Sequence, residues 1–83
     1  MRLDKYLKVS RLIKRRTVAN EAASLGRVQL NGKEAKPSAE VSVGDVLSLR
    51  LGGKVLTVRV NSIQEHALKA DASDMYTVLE ETQ

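Results

Sequence analysis

Apolar residues recur at helical spacing through the first 25 positions of this chain and then switch to alternation. Leu3, Tyr6 and Leu7 fall on one arc at about 100° per residue, with Arg2, Lys5 and Lys8 opposite, which predicts a helix over about residues 2–12. Three successive cations, Lys14, Arg15 and Arg16, interrupt the pattern. Thr17 then offers a capping hydroxyl and Glu21 an acid to a second helix over about residues 18–25, whose Val18, Ala22 and Leu25 follow an i, i+4, i+7 spacing. Ala19, Ala22 and Ala23 permit close approach to a neighbour, and Gly26 stands where a left-handed residue ends a helix.

From Val28 the period is that of strands. Val28 and Leu30 alternate with Arg27 and Gln29, and Asn31-Gly32 is the turn of a hairpin whose return strand, about 33–36, stops at Pro37. Val43-Gly44-Asp45 reads as a turn. Leu47, Leu49 and Leu51 then share a strand face, Gly52-Gly53 turns the chain, and Leu56, Val58 and Val60 continue that face on the returning strand. The segment from 67 to 74 has no clear period and fits a loop or a ragged helical turn. Met75, Tyr76, Val78 and Leu79 form a closing element that the pattern leaves open between strand and helix. The expected fold class is α+β, with two short N-terminal helices packed on a small antiparallel sheet.

Charge sharpens the picture. The net charge of +4 is unevenly spread: residues 1–36 hold ten Lys and Arg against three acids, and residues 37–83 hold four against seven. Seven of those cations, Arg2, Lys5, Lys8, Arg11, Lys14, Arg15 and Arg16, lie within residues 2–16, where Asp4 is the one acid. Arg2 and Lys5 oppose the dipole at the start of their helix, and an anionic partner gives their placement a reason. That reading requires the guanidiniums to share one side of the molecule and not to be consumed by internal carboxylates. A solvated basic face is the plain alternative.

Composition bounds the rest. With 83 residues there is room for one domain, and a chain of this size hides only about 60 % of its unfolded surface. Cysteine is absent, which excludes disulfides and thiolate metal sites. No apolar run approaches the ~20 residues of a bilayer span, and the charged N-terminus lacks the apolar core of a signal peptide, so a cytoplasmic location is expected. Tyr6 and Tyr76 are the only aromatics, too few for a base-stacking sheet; Tyr6 is expected in the core with its hydroxyl at the surface. His66, the only histidine, has no catalytic partner, and Asp71 with Asp74 or Glu80 with Glu81 read as solvated charges rather than a cation site. No enzymatic activity, cofactor or metal is expected.

The run RLDKYL, the basic turn SRLIKRR, the small-residue helix ending at Gly26, the hairpin VQLNGKEAKPS and the turn VSVGD resemble, in order and spacing, the S4-type RNA-binding domain family, whose core is the helix-and-hairpin αL motif. The resemblance covers about residues 2–50. The stretches MRLDKYLKVSRLIKRRTVANEAAS and DMYTVLEE resemble more closely the free-standing RqcP-like branch of that family from Gram-positive bacteria, and more distantly its small heat-shock branch. It implies an S4 domain over 1–66 with an extension over 67–83 closing the core. It further implies binding to 23S ribosomal RNA near helix 69 and to P-site tRNA on large ribosomal subunits blocked by peptidyl-tRNA. There the partner RqcH tails the stalled nascent chain with alanine, and the S4 protein is expected to be a monomer in solution. The RNA-facing positions carried over are Arg2, Lys5, Lys8, Arg11, Lys14, Arg15 and Arg16, with Arg2 and Arg16 foremost. A ribosome-assembly or structural role using the same basic face is the competing function, and a protein-interaction module with incidental charge a third.

Overall fold

The computed structural model describes residues 1–82, and position 83 of the expected C-terminal extension lies outside them. Helix α1 (Leu3–Val9) buries Leu3, Tyr6 and Leu7 completely, as the spacing predicts. Its first donors are met by main chain rather than by a capping side chain. The Leu3 N–H donates to the Ala39 carbonyl at 2.8 Å and the Asp4 N–H to that of Pro37 at 3.1 Å, so the N-terminus is laced to residues 37–41.

The helix ends at Val9, short of the expected residue 12, because Arg11 adopts a left-handed backbone with φ +62° and donates its N–H to the Lys8 carbonyl. This reversal turns Ile13 inward, where it is buried.

Helix α2 (Arg16–Ser24) starts two residues earlier than expected. Arg15 is its N-cap, without a side-chain capping bond, and Thr17 sits exposed inside the first turn rather than capping it. The packing face also differs from the expected one. Val18 and Leu25 are 48 % and 57 % exposed, while Ala19, Ala22 and Ala23 are buried. An alanine stripe lets α2 approach α1 closely, which rotates the larger residues outward. Gly26, at φ +74°, closes the helix as expected: its N–H donates to the Ala23 carbonyl and that of Arg27 to the Ala22 carbonyl.

Strands β1 (Val28–Leu30) and β2 (Lys33–Glu34) form the predicted hairpin across Asn31 and Gly32, both left-handed, with Leu30 opposite Lys33. Strand β3 (Val46–Leu51) pairs with the other edge of β1, placing Val28 opposite Leu49 and Leu30 opposite Leu47. The Asn31 side chain fixes this junction, accepting from the Val46 N–H at 2.9 Å and donating to Asp45 at 3.1 Å. Strand β4 (Lys54–Val60) returns antiparallel to β3.

After an irregular passage come a one-turn helix α3 (Lys69–Ala72), a 3₁₀ turn (Ser73–Met75) and strand β5 (Tyr76–Thr82). The weakly patterned segment is thus a ragged helical turn, and the closing element is a strand. β5 pairs antiparallel with β4, and the sheet order is β2-β1-β3-β4-β5. Met75, just before β5, is fully buried, while Val78 and Leu79 stay about half exposed, so β5 covers the main-chain edge of β4 more than it covers the core. The core lies between the helix pair and the sheet, with Leu3, Tyr6, Leu7, Val28, Leu47, Leu49, Val58, Val60 and Met75 among its large members.

Tyr6 is packed deeper than its amphipathic character suggests. Its hydroxyl is buried and donates to the Met75 carbonyl at 2.8 Å, rather than reaching the surface. Burial first, and the neighbouring Tyr76 second, push the Tyr6 phenol well above its ordinary range.

Candidate nucleic-acid interface

The basic residues sit at the corner where α1 enters α2, and a single carboxylate organises part of it. Asp4, in the first turn of α1, is 3 % exposed at its side chain. Its oxygens accept Arg2 Nε and Nη2, both at 3.2 Å, Arg16 Nη2 at 3.4 Å, Asn20 Nδ2 at 3.3 Å and the Lys5 backbone N–H at 2.8 Å. Burial alone raises the pKa of such a carboxyl. Here the bonds from Arg2 and Asn20 and the charges of Arg16 and Arg2 outweigh it and hold Asp4 below the usual carboxylate range.

The two guanidiniums are therefore paired, which corrects the expectation that carboxylates leave them alone. They are not consumed: Arg2 and Arg16 remain 51 % and 48 % exposed at the side chain. Arg2 spends Nε and one Nη2 hydrogen on Asp4 and Arg16 one Nη2 hydrogen, leaving donors on each to face solvent. One buried acid holds two arginines in fixed orientation, the condition for forked contact with phosphate oxygens.

The other five positions divide. Lys5, on α1, pairs with Glu65 of the passage after β4, and this bond and charge draw the Glu65 carboxyl below its ordinary range. Lys8, Arg11, Lys14 and Arg15 are exposed and have no carboxylate partner among the described residues. Lys8, Arg11 and Lys14 line one groove. Arg16 lines a shallow depression with Asp4, Thr17 and Asn20, and Arg2 another with Asn20, Ser24 and Lys36. The predicted cations thus form an Asp4-centred corner with Arg2 and Arg16, an unpaired group beside it, and Lys5, which is paired with Glu65.

Two members of the corner escaped sequence reasoning. Asp4 stood out there only as the one acid of residues 2–16, although a lone acid among seven cations is itself a signal. Asn20 carried no signal, since it reaches Asp4 only through the packing of α2 on α1.

An α+β domain whose polar edge is a basic helix-turn-helix corner, with orientable guanidiniums and no aromatic platform, is of the class that engages a folded polyanion through its backbone. The chain belongs to the S4 domain family, whose model matches residues 1–47. It is 54 % identical over 81 residues to the RQC P-site tRNA stabilizing factor of Bacillus subtilis, covering 98 % of this chain and 94 % of that protein. It is 56 % identical over 81 residues to the protein of the same name from Listeria innocua, covering 98 % of this chain and 88 % of that one. Among solved structures it resembles the trimeric Heat Shock Protein 15 of Vibrio cholerae with a TM-score of 0.88 at 33 % identity, over 94 % of this chain and 80 % of that one. No helix among the described residues is long and apolar enough to cross a membrane.

Proposed function

We propose that this chain is a non-enzymatic RNA-binding factor of ribosome-associated quality control that stabilises P-site tRNA on large ribosomal subunits obstructed by peptidyl-tRNA. The observation that carries the reading is the Asp4 corner, where Arg2 and Arg16 are held with donor edges free. The near full-length likeness to proteins named RQC P-site tRNA stabilizing factor supports the particular ligand. In this reading the corner rests on 23S ribosomal RNA near helix 69 and on the P-site tRNA, while RqcH adds alanine to the stalled nascent chain on the same particle. The protein acts in the cytoplasm as a monomer without a cofactor.

Structured RNA offers phosphates and 2′-hydroxyls to a protein while its deep major groove hides the base edges. A preformed basic corner reads that surface by shape and charge, with no catalytic group required. Sedimentation with free subunits, intact ribosomes and large subunits bearing peptidyl-tRNA tests the proposal. Enrichment on the last, reduced in Arg2→Ala and Arg16→Ala, is the expected result. Enrichment on immature particles instead would establish the assembly role and overturn it.

A further inference from the structure

The passage from β4 into α3 brings charge to the corner from outside the helix pair. Lys69 opens α3, and His66 lies in the exposed bend before it. Both line the groove of Lys8, Val9, Arg11 and Lys14, together with Glu65 and Ala67, a concavity of about 610 Å³. That is room for one nucleotide, within the ~300–1,000 Å³ of ordinary ligand clefts.

The charge of this groove is one-sided. Lys8, Arg11, Lys14 and Lys69 line it, and none of the four has a carboxylate within 4.0 Å among the described residues. Its one acid, Glu65, is committed to Lys5 on α1. That pair joins the passage to α1 next to His66, which lines the groove with the cations. Four like charges around one concavity repel one another until an anion enters. Arg11, at the groove, holds φ +62°, a left-handed backbone that a glycine would take without strain. The strained position carries a guanidinium instead.

We infer that this groove is a second RNA subsite, separate from the Asp4 corner, that seats one phosphodiester of structured RNA, and that Lys69 and His66 belong to the interface with Lys8, Arg11 and Lys14. The inference rests on the RNA-binding reading above and extends the interface from the helix pair to the β4–β5 connection. Lys8, Arg11, Lys14 and Lys69 supply the charge, and His66 a ring N–H for a phosphate oxygen or a 2′-hydroxyl.

Amine acetylation of the full chain, free and bound to purified large subunits carrying peptidyl-tRNA, with site-by-site readout by mass spectrometry, tests it. Lys69, Lys8 and Lys14 should lose reactivity by about fivefold or more on binding, while Lys33 on β2 keeps its own. The same protection on vacant large subunits assigns the phosphodiester to ribosomal RNA; protection only when tRNA is present assigns it to the tRNA. Lys69→Glu should weaken binding by about tenfold or more and leave the melting temperature unchanged. Full reactivity of Lys69 in the complex, or wild-type affinity of Lys69→Glu while Arg16→Ala loses binding, overturns the groove and leaves the main reading standing. Failure of the unaltered chain to bind large subunits overturns both.

Discussion

Arg2 meets Asp4 through two parallel N–H···O bonds, each of 3.2 Å, at a carboxylate almost closed to solvent. The pairing makes charge and orientation separable. Asp4→Asn raises the net charge by one, so a mechanism of bulk attraction predicts tighter RNA binding. Loss of the shared acceptor predicts the reverse, because Arg2 and Arg16 then lose the group that aims them. We expect Asp4→Asn to weaken ribosome association, and a destabilisation of about 1–3 kcal/mol from the donors left short of an acceptor. Tighter binding at unchanged stability would sink the orienting role.

Acid should reveal the same carboxylate. The folded-state pKa of Asp4 lies below its ordinary value, so its stabilisation is complete above the unfolded value of about 3.9 and is lost as pH falls through the folded one. Melting temperatures measured between pH 6 and pH 2 should therefore be flat at the upper end and fall below about pH 4, with a smaller fall in Asp4→Asn. An equal fall in both proteins would assign the acid transition to other carboxylates.

The sheet was the more legible half of this fold. Strand alternation and the Asn31-Gly32 turn are short-range signals, and β1 to β4 follow them closely. The first helix was legible on its buried face but not at its end, because Arg11 in a left-handed backbone is a choice that no local preference announces. For α2 the spacing of Val18, Ala22 and Leu25 pointed to one face, and the alanine stripe, which also lay in the sequence, decided the packing. The cation cluster was plain, since charge density follows directly from the order of residues. Its division was not, because Asp4–Arg16, Lys5–Glu65 and the approach of Lys69 join residues far apart in the chain.

That packing face can be tested by two substitutions of opposite size. Ala19 is fully buried on the alanine face of α2, so Ala19→Leu should cost on the order of 1–3 kcal/mol by overpacking. Val18→Ala, on the exposed side, should change the unfolding free energy by less than ~0.5 kcal/mol. Urea titrations give both values, and a reversed order would mean that α2 is rotated about its axis.

Tyr6 links the first helix to the last turn before β5. The Met75 carbonyl that accepts its hydroxyl also accepts the Asn61 N–H at 2.8 Å, so Tyr6→Phe leaves no orphaned acceptor and should cost only about 1 kcal/mol. Because the folded-state phenol is raised, its stabilisation is present below the unfolded value of about 10 and is lost as pH rises above it. Denaturant melts from pH 8 to pH 11 should show an alkaline loss in the parent that is smaller in Tyr6→Phe. An identical loss in both would mean that the alkaline transition does not belong to Tyr6.

Salt dependence separates a seated phosphate from mere charge at Arg16. Each phosphate neutralised releases condensed counterions, and the slope of log affinity against log salt changes by about 0.7–0.9 for every phosphate that is no longer neutralised. Arg16→Ala frees one phosphate and also leaves Asp4 with Arg2 as its only paired guanidinium, so the slope should become shallower by at least that amount. Arg16→Lys keeps the charge but not the fork that serves a carboxylate and a phosphate together. Its slope should stay near that of the parent while affinity drops. Arg50→Ala, an exposed cation on β3 away from the helix corner, is the control and should leave both unchanged. Binding curves at three or more salt concentrations distinguish these patterns. If Arg50→Ala shifted the slope as far as Arg16→Ala, the charge would act as a diffuse field, and the corner would lose its claim to be the surface that meets RNA.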